Sequence, residues 1–242
     1  MAFQPVISKT QKQVGVEALI RKIDRAGEVM SPEQIFKLDE NTTPLNKSLI
    51  DYFAAFSAIQ YAIDNPQFSV VNFNASVITL TNPAYINALK ALSLQGMPSS
   101  IVLEITETES VLPARYFQLA ETIATLKQYG FRIALDDFGC GHACLRLLRL
   151  LSPSIVKFSR YVLDDISSSL LKNDKQALEI METLTINLLQ ERGIKVIMEG
   201  IENTADLEIA KSINADYYQG FYFGRPELHD IHAPAEYSQQ LA

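Results

Sequence analysis

The chain contains 242 residues with a formal net charge of −7, and 48% of its residues are hydrophobic. This apolar content excludes intrinsic disorder, which requires low hydrophobicity and high net charge. The acidic balance argues against non-specific binding to a nucleic acid polymer or an anionic membrane, because both need a basic protein surface. The length fits either one barrel-type domain or two small domains.

The N-terminal residues lack the basic and then apolar pattern of a signal peptide. No apolar run approaches the ~18 residues of a membrane-spanning helix. We therefore expect a cytoplasmic protein that does not enter a membrane. No low-complexity or Pro/Gly-rich linker divides the sequence, which favours one domain over residues 1–242.

Short apolar runs rich in Val and Ile alternate with longer stretches of helical periodicity. Such runs suit strands that are buried on both faces. The predicted strands are Val14–Ile20, Phe68–Phe73, Ile101–Ile105, Arg132–Leu135, Ser154–Val156 and Ile194–Met198. Helices are predicted over Tyr116–Tyr129 and Asp174–Gln190, where apolar residues recur every three or four positions.

Strands that alternate with helices indicate parallel pairing with crossover helices. At this length the candidates are a (βα)8-type barrel and an open doubly wound sheet. No glycine-rich phosphate fingerprint follows the first strand, which makes the open nucleotide-binding sheet the weaker choice. We therefore predict an α/β protein with a TIM-like (βα)8 barrel.

Polar residues lie within or directly after these apolar runs, at matching places in the strand–helix cycle. In a barrel the carboxyl ends of the strands surround one mouth, where catalytic residues gather. The residues are Glu17, Asn72, Glu104, Asp136, Asp137, Lys157, Glu199 and Gln219. A single position has an ordinary explanation, since Asp137 fits a helix N-cap and Gln219 fits a turn. Their joint recurrence indicates a functional site.

The negative charges of clustered carboxylates repel one another and must be neutralised. Two unit charges 4 Å apart interact by roughly 4 kcal/mol at an effective dielectric of 20, so several carboxylates together must bind protons or cations. An all-oxygen set with one amide suits a hard divalent ion, Mg²⁺ or Mn²⁺. Two adjacent aspartates could serve two ions, and a pair of ions activates water for an in-line phosphoryl displacement.

A zinc site is a second candidate for metal binding. The Cys and His side chains that could form it are Cys140, His142, Cys144, His229 and His232. The alternative is that the cysteines are small packing residues and the histidines are exposed. Nothing in the sequence brings the two groups together, so the alternative is favoured.

At these residues the sequence resembles the EAL family, the phosphodiesterases that act on cyclic di-GMP. The signature tripeptide is present as Glu17-Ala18-Leu19, which alone would carry little weight. Further segments match in the family's order: Phe3-Gln4-Pro5-Val6, Val71-Asn72, Glu104-Ile105-Thr106-Glu107, Asp136-Asp137-Phe138-Gly139, Lys157, Glu199-Gly200-Ile201-Glu202 and Gln219-Gly220-Phe221. The resemblance reaches from the first residues to about Pro226, so it covers nearly the whole chain.

The resemblance implies a (βα)8-like barrel with one reversed strand, two divalent cations (Mg²⁺ or Mn²⁺), and hydrolysis of cyclic di-GMP to linear pGpG. The resemblance also implies a homodimer. The implied metal ligands are Glu17, Asn72, Glu104, Asp136 and Asp137. The other implied roles are general base or ligand for Glu199, a place near the attacking water for Lys157, substrate binding for Arg21 and Gln219, and support of the loop after Asp137 for Glu107 and Glu202.

Two positions depart from the family pattern. After Asp-Asp-Phe-Gly the family usually continues Thr-Gly-Tyr-Ser-Ser, where this chain has Cys140-Gly141-His142-Ala143-Cys144. The family also usually has aspartate two residues after the lysine, where this chain has Ser159. Losses around a bound metal can reduce affinity or activity by about 10–100-fold, so we expect weakened catalysis. The alternatives are a catalytically impaired cyclic di-GMP receptor and a protein-interaction module.

Overall fold

The computed structural model describes residues 1–23, 29–30, 44–106, 115–139 and 145–229. These residues build a closed barrel of eight strands with helices packed around it. The strands are β1 (Ala2–Ser8), β2 (Gln13–Leu19), β3 (Lys22–Ile23), β4 (Val29–Met30), β5 (Val70–Ser76), β6 (Ile101–Thr106), β7 (Arg132–Phe138), β8 (Ile155–Phe158), β9 (Lys195–Met198), β10 (Tyr217–Tyr218) and β11 (Glu227–Leu228).

The barrel closes in the order β10-β9-β8-β7-β6-β5-β2-β1, with β1 pairing back to β10. Strand β1 runs antiparallel to both neighbours, whereas the remaining neighbours in the ring pair in parallel. The predicted TIM-like (βα)8 barrel with one reversed strand is therefore confirmed. Strand β11 pairs with the start of β1, and β3 and β4 form a separate two-stranded sheet.

Seven α-helices lie in the described parts of the chain. They are α1 (Pro44–Asp64), α2 (Pro83–Ser93), α3 (Arg115–Gln128), α4 (Leu145–Leu151), α5 (Arg160–Leu171), α6 (Gln176–Thr183) and α7 (Thr204–Ser212). Asparagine side chains cap the starts of α2 and α7, where Asn82 accepts from the Ala84 N–H and Asn203 from the Asp206 N–H. None of these helices combines the length and the apolar character needed to cross a membrane.

The predicted helices agree with α3 and α6, with one difference. The helical stretch that begins with α6 continues as a π-helix over Leu184–Leu189 and a 3-10 turn over Gln190–Arg192. It ends at Gly193, whose φ of 74° lies in the left-handed region that glycine adopts readily. The 3.6-residue periodicity predicted a helix here but could not distinguish the α from the π form.

Apolar side chains fill the lower part of the barrel interior. The cluster is Val6, Val70, Val102, Ala134, Ile155 and Ile197, all fully buried. Burial of one such aliphatic side chain stabilises the fold by roughly 1.5–3 kcal/mol. Gly15 lies opposite Val70, and a Cβ atom at Gly15 would lie 1.8 Å from the Val70 carbonyl oxygen, so no side chain fits there. This packed floor fills the lower part of the barrel among the described residues, so a site inside the barrel lies at its upper end.

Candidate functional site

A layer of polar side chains lies directly above the apolar floor. Six of them lie two residues nearer the mouth than a floor residue of the same strand, so the alternation of strand side chains points both into the barrel. Glu17 and Gln219 have the same spacing from Gly15 and Tyr217. The layer consists of Gln4, Glu17, Asn72, Glu104, Asp136, Lys157, Glu199 and Gln219. Strand β1 is reversed, and for this reason Gln4 precedes the floor residue Val6 instead of following it.

Lys157 is the centre of this polar layer. Its Nζ atom lies 2.6 Å from Glu199 Oε1, 2.8 Å from Glu104 Oε2, 3.3 Å from Glu17 Oε2 and 3.6 Å from Asp136 Oδ1. The lysine side chain is 1% exposed. Three of the four carboxylates belong to different barrel strands, and Glu199 follows directly after β9. The structure therefore brings together acidic residues that are up to 182 positions apart in the chain.

Side-chain amides hold the carboxylate of Glu17. Gln219 Nε2 donates to Oε2 at 2.6 Å, and Asn74 Nδ2 donates to Oε1 at 2.8 Å. Gln219 Nε2 also lies 3.3 Å from the Oε1 atom of Gln4, which is paired with Glu17 across β1 and β2. The sequence analysis missed Asn74. The available signal was its position two residues after Asn72, which places both on the same strand face.

A bulge in β7 lets two adjacent aspartates reach the mouth. Consecutive strand residues normally point to opposite faces. The register between β7 and β8 shifts between Leu135 and Phe138, and Asp137 has a φ of 49°, which is uncommon for a residue other than glycine. As a result, carboxylate oxygens of Asp136, Asp137 and Glu199 lie within 4.8 Å of one another. These three groups could hold a metal ion.

Burial shifts the pKa values of the cluster. It raises the pKa of Glu199 to about 8 and also raises that of Asp136, although the charge of Lys157 opposes both shifts. Burial and the charge of Glu17 raise the pKa of Glu104 well above its usual value. For Lys157, burial would lower the pKa, but the surrounding carboxylates outweigh it and raise the pKa. In the absence of metal the cluster therefore limits its negative charge by binding protons.

Glu17 behaves differently from the other carboxyl groups. Burial alone would raise its pKa, but the charge of Lys157 and the hydrogen bonds from the two amides outweigh that effect. The pKa of Glu17 is lowered as a result. Glu17 thus carries a negative charge in the barrel interior at neutral pH, held by the neighbours that donate hydrogen bonds to it.

Unpartnered polar atoms surround the same cluster. Among the described residues, Asn72 Oδ1, Asn72 Nδ2 and Glu104 Oε1 are buried without a hydrogen-bond partner. A buried polar group without a partner costs about 1–3 kcal/mol. A hard cation bound by amide and carboxylate oxygens removes this cost for the oxygens. The donor set and the unpartnered oxygens therefore fit divalent metal ions.

Metal-free protein should lose stability as the pH rises from about 4.5 towards 8. Glu104, Asp136 and Glu199 have raised pKa values in the folded state, so they bind protons more tightly there than in the unfolded chain. The stability that these bound protons contribute is fully present below the pKa values of the unfolded chain. It is lost as the pH rises through the pKa values of the folded state, and the folded-state pKa of Glu199 is about 8. The pKa of Glu17 is lowered, so its contribution to stability changes with pH only below about pH 4.5. The pKa of Lys157 is raised, so its contribution changes only above about pH 10.5.

Thermal denaturation in EDTA measures this effect. We expect a Tm that is several degrees lower at pH 8 than at pH 5, since ~1 kcal/mol corresponds to ~2–4 °C in a chain of this size. Glu199→Gln should flatten the dependence, and Mn²⁺ should raise the Tm more at pH 8 than at pH 6. A metal-free Tm that rises between pH 5 and pH 8 would contradict the prediction.

Asn74→Ala should weaken metal binding. The change removes the hydrogen bond to Glu17 Oε1 and leaves that oxygen free to turn away. Loss of a group that orients a metal ligand typically costs about 10–100-fold in affinity. Isothermal titration calorimetry with Mn²⁺ measures the change in affinity. Asn65→Ala is the control, because Asn65 donates to the Tyr61 carbonyl oxygen far from the site. Equal Mn²⁺ affinity in both variants would show that Asn74 does not position Glu17.

The remaining predicted residues lie at the edge of the cluster. Arg21 follows β2 and donates from Nη1 to the Ile20 carbonyl oxygen at 2.7 Å. Burial lowers its pKa, and the charge of Glu17 opposes the shift. Glu202 has a side chain that is 55% exposed, and its Oε2 atom lies 3.8 Å from Arg160 Nη1. Arg160, which the sequence analysis did not select, also pairs with Asp206 at 2.7 Å.

Several predictions fall on residues that the structure does not describe. They concern Glu107, the segment 140–144 that departs from the family pattern, and His232. Of the candidate zinc ligands, His229 is described. Its ring packs edge-on against Phe3 at 5.8 Å and Tyr61 at 5.5 Å between centroids.

Comparison with known proteins identifies the family. The sequence model of the EAL domain family matches residues 1–226, so the chain belongs to this family. In Escherichia coli K12 a protein named "Probable cyclic di-GMP phosphodiesterase PdeG" is 27% identical over 231 residues, which covers 93% of this chain and 44% of PdeG. The chain spans from 28% to 55% of the length of such curated relatives.

Solved structures of similar proteins share the fold. The EAL domain protein of Listeria monocytogenes EGD-e superposes with a TM-score of 0.78 at 26% identity, covering 99% of this chain and 90% of that one. BlrP1 of Klebsiella pneumoniae, solved at pH 8.0 as a calcium/cy-diGMP complex, gives a TM-score of 0.77 at 25% identity and covers 95% of this chain and 56% of its own. Both agree with the barrel described above.

Proposed function

We propose that the chain is a metal-dependent phosphodiesterase that hydrolyses cyclic di-GMP to linear pGpG. The observation that carries the proposal is the convergence of four carboxylates on Lys157 at the open end of the barrel. A barrel that only packs or only contacts another protein has no need for like charges in its interior, because burying them is costly. The name of PdeG and the nucleotide in the BlrP1 structure support this choice of substrate.

We further propose two bound ions, Mg²⁺ or Mn²⁺, on grounds of charge. With its five carboxylates ionised and Lys157 protonated, the site carries four net negative charges. Two divalent cations neutralise this charge. The proposed ligands are Glu17, Asn72, Glu104, Asp136 and Asp137. Oxygen ligands favour these hard ions, which when bound would activate water and polarise the phosphoryl oxygens.

Glu199 is proposed as the general base or as a further ligand. Its side chain is 20% exposed, whereas those of Glu17 and Glu104 are 8% and 0% exposed. Glu199 is therefore more open to a water molecule entering from the mouth than either of those carboxylates. Lys157 fixes Glu199 Oε1 at 2.6 Å and orients it towards the same space as the other carboxylates.

Substrate binding is assigned to two other residues. Arg21 offers a planar guanidinium that suits bidentate binding of a phosphate. Gln219 contributes its Oε1 atom, which is buried without a partner among the described residues. Support of the loop after Asp137 is assigned to Glu107 and Glu202, of which Glu202 is seen paired with Arg160.

Product analysis tests the proposed function. Purified chain is incubated with cyclic di-GMP and Mn²⁺ or Mg²⁺, and the products are separated by chromatography. We expect linear pGpG as the product and no reaction in EDTA. A folded, metal-loaded sample that forms no pGpG at high protein concentration would refute the proposal.

A cyclic di-GMP receptor with impaired catalysis is the second candidate function. The observation that favours it is Ser159, a serine where the resemblance predicts a carboxylate. Ser159 is 5% exposed and lines the cavity at the barrel mouth together with Glu17 and Glu199. Tight binding of cyclic di-GMP with no turnover in either metal would support the receptor, and absent binding would eliminate it.

Ser159→Asp should raise the rate of hydrolysis. A carboxylate at this place adds negative charge beside the proposed ions and a partner for Lys157. Groups of this kind around a metal typically change metal affinity or activity by about 10–100-fold. Steady-state rates in Mn²⁺ measure the gain. Ser168→Asp, which makes the same change at an exposed position of α5, is the matched control. Equal rates in both variants would show that Ser159 does not limit the site.

We also propose that the chain acts as one domain over residues 1–242, as a homodimer in the cytoplasm. The dimer is supported by the family resemblance, and the single domain by the absence of a linker-like segment in the sequence. Light scattering coupled to gel filtration tests the dimer, with a mass twice that of the 27.0 kDa chain expected.

A further inference from the structure

An exposed aromatic ring stands beside the acidic cluster. Tyr161 is the second residue of α5 and is 74% exposed. Helix α5 packs on the barrel through Val162, Leu163 and Ile166, which are buried. Packing of the helix therefore does not account for a large aromatic side chain at position 161. A single exposed ring is ordinary on a protein surface, so its surroundings decide whether it has a role.

The surroundings of Tyr161 are those of the proposed active site. Tyr161 lines a cavity of about 340 Å³ whose walls also include Glu17, Asp137 and Glu199. A second aromatic side chain, Phe221, lines the same cavity and is 47% exposed. The rim thus combines aromatic rings with carboxylates that are proposed to act on a phosphodiester.

The size of the cavity directs the bases of the ligand towards this rim. A volume of about 340 Å³ is at the low end of the ~300–1,000 Å³ range of ligand sites. Cyclic di-GMP carries two purine bases in addition to its phosphate ring. When one phosphodiester lies at the carboxylates, the bases must extend to the rim of the cavity. Exposed aromatic side chains bind nucleobases by stacking.

The two rim aromatics differ in the access to their faces. The guanidinium of Arg225 lies 4.2 Å from the ring centroid of Phe221 and covers one face of that ring. Within the described part of the chain, Tyr161 makes no ring or cation–π contact. Because Tyr161 is also 74% exposed, its ring is accessible to a base.

We propose that Tyr161 is a substrate-binding residue that stacks on one purine base of the cyclic dinucleotide. The inference rests on the proposed function, since it takes cyclic di-GMP as the ligand. Stacking on a single ring accepts any base, because every base has a π-face. Tyr161 therefore contributes to affinity and not to the chemical step.

The absence of tryptophan from the sequence allows a direct test. Tyr161→Trp introduces a single tryptophan into the full chain. Its fluorescence is followed during titration with cyclic di-GMP in Ca²⁺, with product analysis of the same sample to correct for hydrolysis. Stacking predicts saturable quenching with a midpoint equal to the Kd from calorimetry. Phe117→Trp is the control, because Phe117 is 67% exposed on α3 and does not line the cavity.

Kinetics provide the second measurement. Tyr161→Ala is expected to raise KM for cyclic di-GMP by about 5- to 150-fold and to leave kcat within about twofold. Tyr161→Phe should keep the KM of the unmodified chain, because the ring and not the hydroxyl makes the contact.

The outcomes separate this inference from the proposed function. If the unmodified chain binds and hydrolyses cyclic di-GMP, then an unquenched tryptophan at position 161, or an unchanged KM in Tyr161→Ala, overturns the stacking role and leaves the function in place. If the unmodified chain does not bind cyclic di-GMP in calorimetry, both are overturned together.

Discussion

Glu17→Gln is expected to lower the rate of cyclic di-GMP hydrolysis by about 10³-fold or more. A bound metal supplies several kcal/mol of transition-state stabilisation, and each 1.4 kcal/mol corresponds to a factor of ten. Glutamine has nearly the shape of glutamate but lacks its charge. Its amide nitrogen would also face the donor groups of Gln219 or Asn74, which now donate to the two carboxylate oxygens.

Steady-state kinetics over a range of Mn²⁺ concentrations measure this loss. Glu208→Gln is the matched control, because Glu208 is an exposed glutamate that pairs with Lys211 at 2.7 Å on the surface. The control should keep the rate of the unmodified chain. A Glu17→Gln variant that retained more than a tenth of that rate at saturating Mn²⁺ would contradict the assignment of Glu17 as a metal ligand.

Lys157→Met is expected to reduce the free energy of unfolding of the metal-free protein by about 3–5 kcal/mol at pH 8. Removal of one partner from a buried ion pair leaves uncompensated charge, and this is the usual cost of that loss. The methionine fills a similar volume, so the effect reports charge and not packing. The loss should be smaller at pH 5, where the carboxyls with raised pKa values hold protons.

Urea denaturation with and without Mn²⁺ measures the effect. Mn²⁺ should restore part of the lost stability, because the cation replaces the missing positive charge. Lys195→Met is the control: Lys195 pairs with Asp216 at 3.1 Å but is 50% exposed, and exposed pairs contribute about 0–1 kcal/mol. Equal loss in the two variants at pH 8 without metal would show that the cluster does not depend on Lys157.

The alternation of apolar runs and helical stretches predicted most of the barrel. The runs at Ile101–Ile105 and Ile194–Met198 correspond to β6 and β9, because strands buried on both faces need continuous Val and Ile. Strand β1 was not among the runs, since Pro5 interrupts its apolar pattern and one of its two barrel partners, β10, is remote in sequence. The reversal of β1 came from the family resemblance alone.

The site was predicted as a set of residues but not as a geometry. The polar residues within or directly after the apolar runs could be recognised because strand periodicity is local. The bulge that turns Asp137 to the mouth, and the hydrogen bond from Asn74 to Glu17, depend on pairing with neighbouring strands. No pattern within a single strand encodes such contacts.

A crystal of the chain grown in Mn²⁺, with diffraction measured at the manganese absorption edge, tests the central claim most directly. The account predicts anomalous difference peaks within bonding distance of Glu17, Glu104 and Asp136 oxygens, at or near the place where Lys157 now gathers these carboxylates. Peaks found only elsewhere, or none at saturating Mn²⁺, would contradict it.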